Sequence, residues 1–191
     1  MLLRPVYPVV TDRLALRPFT PSDIDAMLAY RSRADVCRYL PFEPQDRAAL
    51  RERFASGSLS RTELSAEGQA LTLGAWRRGS GELAGDLNLF LSSEEHRGGE
   101  IGWVFDPAHT GSGLATEAAQ AALALMFADL GLHRVIARLD SRNERSAALC
   151  RRLGMRQEAH QVRSEWFKGE WVDLLVYAIL ATEWASRSTS G

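Results

Sequence analysis

A glycine-rich segment at residues 109–119, HTGSGLATEAA, has the composition of a loop that binds an anion. Gly111, Gly113 and Ala115 alternate just before Glu117 and a long apolar stretch, so no bulky side chain covers the backbone. Amide N–H groups at the start of a helix point outward, and the helix dipole there favours negative charge. The segment therefore predicts a phosphate site, with a tight turn that binds no ligand as the alternative for an isolated GSGLA sequence.

The elements that must position this loop follow from periodicity and from the residues that bound each element. Alternating apolar and polar residues between glycines or prolines indicate strands, which we predict over residues 13–17, 69–78, 82–91, 99–105, 133–139, 156–167 and 171–180. Apolar spacings of three and four residues indicate helices, which we predict over residues 21–31, 44–54, 118–128 and 143–153, with a helical turn at 34–39. Residues 57–68 lack periodicity and are predicted to form a loop.

The order of these elements predicts one mixed sheet flanked by helices. Three consecutive strands separated by glycine turns form an antiparallel meander. A crossover helix joins the strand before the glycine loop to the strand after it. We expect a single domain over residues 1–185, followed by a short polar tail at 186–191.

The overall charge does not favour a nucleic acid or an anionic membrane as a partner. Lys and Arg number 23 against 24 Asp and Glu, a formal net charge of -1, so no basic field surrounds the chain. Hydrophobic residues make up 46% of the chain and charged residues 25%, which is typical of a globular domain with a full core. Binding partners must therefore be inferred from individual sites.

Cysteine content and hydropathy predict a protein of the reducing cytoplasm. Cys37 and Cys150 cannot form a disulfide framework, and neither stands in a spacing suited to zinc, so no metal is expected. Residues 1–10 do not resemble a signal peptide. The most apolar stretch, residues 118–132, is too short and too interrupted to span a bilayer.

Four stretches of the chain together carry more information than the glycine loop alone. They are TDRLALRPFTPSDI, EIGWVFDPAHTGSGLATEA, LGLHRVIARLDSRNERSAALCRRLGM and WVDLLVYAIL. In this order and spacing they resemble the GNAT superfamily of acyl-CoA-dependent N-acetyltransferases, in the branch of ribosomal-protein N-terminal acetyltransferases. The resemblance implies an α/β fold, a mixed and mostly antiparallel sheet of about seven strands, splayed between the fourth and fifth, with flanking helices. It also implies acetyl-CoA as cosubstrate and an amine as acceptor.

The resemblance places the coenzyme contacts on three segments. The pantetheine arm would lie along the backbones of Trp103, Val104 and Phe105 in the splay, with an N–H near Val104 as oxyanion donor. The diphosphate would be bound by successive backbone N–H groups, those of Gly111, Ser112, Gly113, Leu114, Ala115 and Thr116. The family carries Arg or Gln where this chain has Thr110, so binding would depend on the backbone.

The third segment is the helix that follows the fifth strand. Asn143 is predicted to cap this helix and also to contact pantetheine. Arg151 lies about 80° round the helix from Asn143, whereas Arg152 lies almost opposite, so Arg151 is the preferred partner for a coenzyme phosphate, with a solvated surface charge as the alternative.

Acetyl transfer to an amine needs a base for the ammonium proton and an oxyanion donor. Glu100 resembles the glutamate that many relatives use as the base, directly or through water, and a solvated strand-end glutamate is the alternative. Asp86 and Glu82 on the neighbouring strand are competitors. Bulk water is a further alternative for a weakly basic amine.

The departing thiolate needs a proton. Ser146 matches a serine that the ribosomal-protein branch places near the thioester sulfur, and a serine bonded to its own helix backbone is the alternative. Cys150 stands where many family members carry a tyrosine that acts as the general acid. The role of general acid is therefore expected of Ser146. A cysteine at this position usually only packs against its neighbours.

Other side chains are weaker candidates. His109 and His133 lie in the loop and at a strand entry, and Asp173 would orient the acceptor or satisfy backbone groups. The tryptophans with strand spacing are predicted to be core or cleft-wall aromatics; these are Trp76, Trp103, Trp166 and Trp171.

The leading hypothesis is an enzyme that moves acetyl from acetyl-CoA to a primary amine by direct attack in a ternary complex. A non-catalytic acyl-CoA-binding regulatory module is the alternative, because the loop Arg or Gln and the tyrosine are both missing. Binding of a nucleoside triphosphate is disfavoured, since no Gly-Lys-Ser/Thr follows the loop. The acceptor stays open among a ribosomal-protein N-terminus, an aminoglycoside, a polyamine and another small amine. The branch also implies a homodimer.

Overall fold

The computed structural model describes residues 1–188 and contains one mixed sheet with helices on both faces. The strands are β1 Val9–Val10, β2 Leu14–Pro18, β3 Ala70–Arg77, β4 Leu83–Ser93, β5 Gly98–Phe105, β6 Arg134–Asp140, β7 Arg156–Phe167 and β8 Glu170–Leu180. The helices are α1 Ile24–Arg31, α2 Ala34–Cys37, α3 Arg47–Ala55, α4 Leu114–Ala124, α5 Glu144–Arg152 and α6 Ala181–Ser188. Across the sheet the strand order is β1-β2-β3-β4-β5-β6-β8-β7.

The predicted meander and crossover are both confirmed. Strands β3, β4 and β5 pair antiparallel, with Leu73 opposite Leu87 and Leu89 opposite Ile101. Helix α4 then carries the chain to β6, which lies parallel to β5. Because β5 leads directly into the glycine loop, this connection places the loop at the carboxyl end of β5, beside the start of α4.

The two faces of the sheet bury separate apolar clusters. Successive side chains of a strand point to opposite faces, so Ile101 of β5 packs on the α4–α5 face and Val104 packs on the α1–α3 face. Small residues such as Ala118 and Ala122 let α4 approach the sheet closely, and both are fully buried. The nearly uncharged sequence of this helix is therefore explained by contact with the sheet and its neighbours.

Some element boundaries differ from those predicted. The sheet gains the two-residue strand β1, and Gly98 begins β5 instead of belonging to the turn before it. After α4 the chain forms a π-helical turn over Leu125–Asp129 and then reverses at Gly131. Residues 186–188 of the predicted tail end helix α6, and the rest of that tail lies outside the described residues. No helix within residues 1–188 has the length and apolar content needed to cross a membrane.

Candidate active site

A cleft of ≈ 530 Å³ lies where β5 and β6 separate. The two strands pair only between residues 98–100 and 134–136, after which β5 stays beside β4 and β6 stays beside β8. This is the predicted splay. The cleft is lined from both faces of the sheet, by Asp86 from the α1–α3 face and by Ser146 of α5 from the other. Among the described residues, no atom lies within 4 Å of a Cβ built on Gly102, so the β5 wall stays open.

The glycine loop presents a row of unpaired backbone donors. Gly111 and Gly113 have φ angles of 81° and 80°, in the left-handed region that favours glycine. Within residues 1–188, no acceptor meets the N–H groups of residues 111–116. Gly113 is the N-cap of α4 and offers no capping side chain, whereas Asn143 caps α5. The start of α4 therefore retains the donors with which a helix N-terminus binds an anion.

The turn between β1 and β2 holds this loop in place. The Glu117 carboxylate, in the first turn of α4, accepts from Thr11 Oγ1 at 2.6 Å and from Arg13 N and Nε at 2.8 and 2.6 Å. Arg13 Nη1 also donates to the Ser112 carbonyl oxygen at 2.8 Å. Burial alone raises the pKa of Glu117, but the hydrogen bonds from Thr11 and Arg13 outweigh burial and lower this pKa below its ordinary value. These hydrogen bonds join distant parts of the chain and were not predicted from the sequence.

Glu100 faces the cleft and has an arginine partner across the gap. Its two carboxylate oxygens accept from Arg138 Nε at 3.3 and 3.2 Å. Arg138 lies on β6, two residues beyond the Ile136 that pairs with Glu100, so the ion pair connects the two strands where they begin to separate. Trp103 is on the opposite side of β5, where it packs against the α4–α5 cluster. The structure thus brings Glu100 into the cleft lining, where it is paired with Arg138 instead of packed against Trp103.

The two competing carboxylates each form an ion pair with an arginine. Asp86 is buried and accepts from the Tyr30 hydroxyl and from Arg31, whose Nη2 lies 2.6 Å and whose Nε lies 3.0 Å from its oxygens. Burial, followed by the Asp86 charge, raises the pKa of Tyr30. Glu82 pairs with Arg77 in the turn between β3 and β4, outside the cleft. Glu82 is therefore outside the cleft, whereas Asp86 lines the cleft with both oxygens already hydrogen-bonded to Tyr30 and Arg31.

Ser146 directs its hydroxyl into the cleft. Its oxygen accepts from Trp103 Nε1 at 3.1 Å, while its backbone N donates to Asn143 Oδ1 at 3.1 Å. Among the described residues, the Ser146 hydroxyl proton has no acceptor of its own, so it is not bonded back to the helix. The capping role of Asn143 is as predicted, and both residues line the cleft. The contribution of the Trp103 indole was not predicted.

Cys150 lies in the core. The side chain is fully buried and is absent from the cleft lining. Burial raises the pKa of the Cys150 thiol to about 12. This thiol is therefore a packing group and is poorly suited to protonate a thiolate.

The structure places Arg152, not Arg151, beside the glycine loop. Arg152 Nε donates to Thr116 Oγ1 at 3.2 Å, at the start of α4. Arg151 Nη1 instead lies 3.4 Å from the Tyr177 hydroxyl of β8. The start of α4 thus lies on the flank of α5 that carries Arg152, and the preference for Arg151 as the partner of a coenzyme phosphate stays an untested prediction.

The remaining candidates lie away from the cleft. His133 is exposed at the start of β6, and His109 lines a separate surface pocket with Arg13. Asp173 accepts from Arg163 N at 2.8 Å and contacts His160, so it satisfies a backbone group of the β7–β8 hairpin. Within the described chain, no cluster of His, Cys, Asp or Glu is arranged to hold a metal ion.

Two tryptophan predictions were wrong. Trp166 and Trp171 are 63% and 56% exposed on the β7–β8 hairpin, where they pack edge to face with each other. Trp166 lies on the edge strand β7, which is exposed along most of its length, and Trp171 lies in the exposed first two residues of β8, so alternation in the sequence does not correspond to burial there. Trp76 is half-buried against Phe19 on the α1–α3 face, as predicted for a core aromatic.

The donors around the cleft fit acetyl-CoA. The row at residues 111–116 suits a diphosphate, and Arg152 adds a positive charge beside it. Over residues 101–105, one edge of β5 has no strand partner among the described residues, so an extended amide-containing arm can pair there. The arm would end near Ser146, which lines the same gap.

Comparison with known proteins agrees with this geometry. A family model of the acetyltransferase (GNAT) domain matches residues 13–156. The uncharacterized N-acetyltransferase YnaD of Bacillus subtilis (strain 168) is 33% identical over 179 residues, covering 92% of this chain and 98% of that protein. A GNAT-family acetyltransferase structure from Bacillus anthracis is 31% identical with a TM-score of 0.81, covering 91% and 98% of the two chains. A spermidine N-acetyltransferase from Vibrio cholerae, solved with CoA and spermine, shares the fold at 20% identity and a TM-score of 0.78, covering 92% and 99%.

Proposed function

The chain belongs to the GNAT family of acetyltransferases, and we propose that it moves the acetyl group of acetyl-CoA to a primary amine. The two substrates would meet in a ternary complex, in which the amine attacks the thioester directly. Acetyl-CoA would enter from the α4–α5 face and the amine from the α1–α3 face, since the cleft is lined from both. The observation that carries this proposal is the row of unpaired N–H groups at residues 111–116.

This row supports diphosphate binding for a physical reason. Helix α4 begins without a capping side chain, so its first N–H groups and its dipole are directed at whatever lies in front of the loop. The hydrogen bonds of Glu117 and Arg13 hold the loop in that shape without using those donors. Thr110, which replaces the family's Arg or Gln, therefore removes a side chain and leaves the backbone site intact.

Proton removal from the amine is assigned to Glu100. The carboxylate would accept the ammonium proton directly or through one water, and Arg138 would keep it positioned at the gap. A backbone N–H near Val104 would stabilise the oxyanion that forms when the amine attacks.

Protonation of the departing thiolate is assigned to Ser146. This residue would donate its hydroxyl proton as the C–S bond breaks and regain one from the attacking nitrogen, since that nitrogen must lose a second proton to become an amide. The Trp103 indole N–H holds the Ser146 oxygen, which leaves the hydroxyl proton available to a group in the cleft. Asn143 is proposed as the pantetheine contact from the start of α5. Arg152 replaces Arg151 as the proposed partner of a coenzyme phosphate, because Arg152 is the one that reaches the start of α4.

Coenzyme A release in the presence of a panel of primary amines tests the proposal. Turnover with any amine supports the enzyme. Saturable binding of acetyl-CoA, with no coenzyme A release for any amine of the panel, would favour the non-catalytic acyl-CoA-binding module. Folded protein that gives no heat on titration with acetyl-CoA would contradict both.

Location and assembly stay predictions. Cys37 and Cys150 are free and buried thiols, which is compatible with a reducing cytoplasm. We expect a homodimer from the family branch, and light scattering on the purified protein measures its mass.

A further inference from the structure

The half of the cleft on the α1–α3 face contains more positive than negative charge. Two ion pairs line it, one between Arg31 and Asp86 at 2.6 Å and one between Arg138 and Glu100 at 3.2 Å. A third arginine, Arg53 of α3, lines the same cleft. Among the lining residues the charges of the two ion pairs balance, so Arg53 is the positive charge that remains there; Glu165, which lies 3.9 Å from Arg138, is outside the lining.

Arg53 has few partners for a guanidinium in this position. Its Nη1 donates to Gln45 Oε1 at 3.3 Å, and that same oxygen already accepts from Arg31 Nη1 at 3.0 Å. No ion pair among residues 1–188 includes Arg53. A guanidinium carries five N–H donors, so most of those on Arg53 remain for a ligand.

The surroundings of Arg53 disfavour a lone cation. Burial, and then repulsion by Arg31, lower the pKa of the Arg53 guanidinium from its ordinary value. An anion bound next to Arg53 would supply the missing partner. The guanidinium would lose little further hydration on binding, because the cleft has already buried it in part. The planar fork of an arginine can donate two parallel hydrogen bonds to a carboxylate.

We propose that the acceptor is a small amine that also carries a carboxylate, and that Arg53 binds this carboxylate. The inference rests on the proposed function, because it concerns the acceptor of the same reaction. The amine would lie toward Glu100 and the carboxylate toward α3, with Phe42 and the adjacent loop covering the acceptor. Gln45, which contacts both Arg31 and Arg53, holds the two guanidinium groups side by side.

The same charges act against a polyamine. Both carboxylates of the cleft lining, Asp86 and Glu100, already have arginine partners. A second or third ammonium group would therefore find no free carboxylate in the lining formed by residues 1–188 and would be repelled by Arg53.

Matched acceptors test this assignment. Coenzyme A release is measured for ω-amino carboxylates from β-alanine to 6-aminohexanoate and compared with that for n-alkylamines and terminal diamines of the same lengths. A second comparison sets L-alanine against L-alaninamide. We expect the best carboxylate-bearing amine to exceed its neutral counterpart in kcat/KM by at least about tenfold, as expected for one hydrogen bond to a charged group. Equal or better turnover of alkylamines or diamines overturns the proposal.

Arg53→Gln and Arg51→Gln form a matched pair on α3. Arg51 is exposed and lies outside the cleft lining. Arg53→Gln should raise KM for the carboxylate acceptor about tenfold to 100-fold and leave KM for acetyl-CoA unchanged, whereas Arg51→Gln should change neither. Arg53→Gln should melt no lower than the wild type, because repulsion from Arg31 is relieved. An equal loss for carboxylate and neutral acceptors would refute the assignment.

A binding measurement distinguishes a failure of this proposal from a failure of the proposed function. Calorimetric titration of the CoA-saturated protein with the same compounds requires no turnover. If no amine is acetylated, the proposed function fails. The titration still shows whether Arg53 binds a carboxylate. Carboxylate binding that Arg53→Gln abolishes supports the site, and binding that is absent in the wild type overturns it.

Discussion

Replacement of Gly113 by alanine tests the central feature of the site. Gly113 has a φ of 80°, and the only atom within 4 Å of an added Cβ, among the described residues, is Arg13 Nη2 at 3.4 Å. The methyl group therefore has room in the folded protein, and we expect it to obstruct a diphosphate bound by the unpaired N–H row. The substitution should weaken coenzyme binding beyond its effect on stability.

The two effects have separable magnitudes. An alanine in the left-handed region costs about 1–2 kcal/mol, which lowers the melting temperature of a chain of this size by about 2–8 °C. Loss of one hydrogen bond to a charged ligand weakens binding about 10-fold to 100-fold. At a CoA concentration 100 times the wild-type Kd, ligand stabilisation would fall from about 2.7 kcal/mol to as little as about 0.4 kcal/mol. The CoA-induced rise in melting temperature would then shrink from about 5–11 °C to as little as about 1–2 °C.

Gly131→Ala is the matched control. Gly131 has a φ of 74°, no described atom lies within 4 Å of its added Cβ, and it lies in the turn after α4, away from the loop. Both variants should melt lower than the wild type without ligand, but only Gly113→Ala should lose the CoA-induced rise. Differential scanning fluorimetry gives the melting temperatures, and isothermal titration gives Kd. If Gly113→Ala and Gly131→Ala keep the same affinity for CoA, the loop is not the diphosphate site.

Three further predictions concern the chemistry and the support of the loop. Ser146→Ala should lower kcat by about 100-fold or more with little change in KM for acetyl-CoA, while Cys150→Ala keeps kcat; steady-state kinetics would contradict the assignment if the two variants behaved alike. Glu100→Gln should lower kcat/KM by about 100-fold in steady-state assays, and an unchanged kcat/KM would point to water as the base. The pKa of Glu117 is lower in the folded protein than its ordinary value of 4.5, so its stabilising contribution is present above pH 4.5 and is lost as pH falls through the lower folded value. Melting curves should therefore show a steeper acid loss of stability for the wild type than for Glu117→Gln, and parallel curves would argue against this coupling.

Most of the fold could be predicted because its signals are local. The alternation in β3, β4 and β5 and the apolar face of α4 depend on which face of each element is buried, and that pattern appears in the sequence. The β7–β8 hairpin shows the limit of such signals. It could be predicted as two strands, but whether Trp166 is buried depends on what packs on the hairpin, and nothing local encodes that.

The candidate site was predictable only in part. The glycine loop is continuous in sequence, so its backbone donors could be identified directly. The pairs that position its neighbours join distant residues: Arg13 and Glu117 are 104 positions apart, and Trp103 and Ser146 are 43 apart. The choice between Arg151 and Arg152 likewise depended on where α4 begins relative to α5, which a helical wheel cannot show.

By itself, then, the sequence determined the order of the elements, the splayed sheet expected of its family and the glycine loop with its exposed backbone donors, because each arises from residues near one another along the chain. Tertiary structure alone decided that Glu100 meets Arg138, that Asp86 is enclosed by Tyr30 and Arg31, and that Arg53 has no carboxylate partner in the described chain. The physical reason is that ion pairs and hydrogen bonds across a cleft depend on distances of a few ångströms between separate elements. Those distances are set by packing of the whole sheet and its helices.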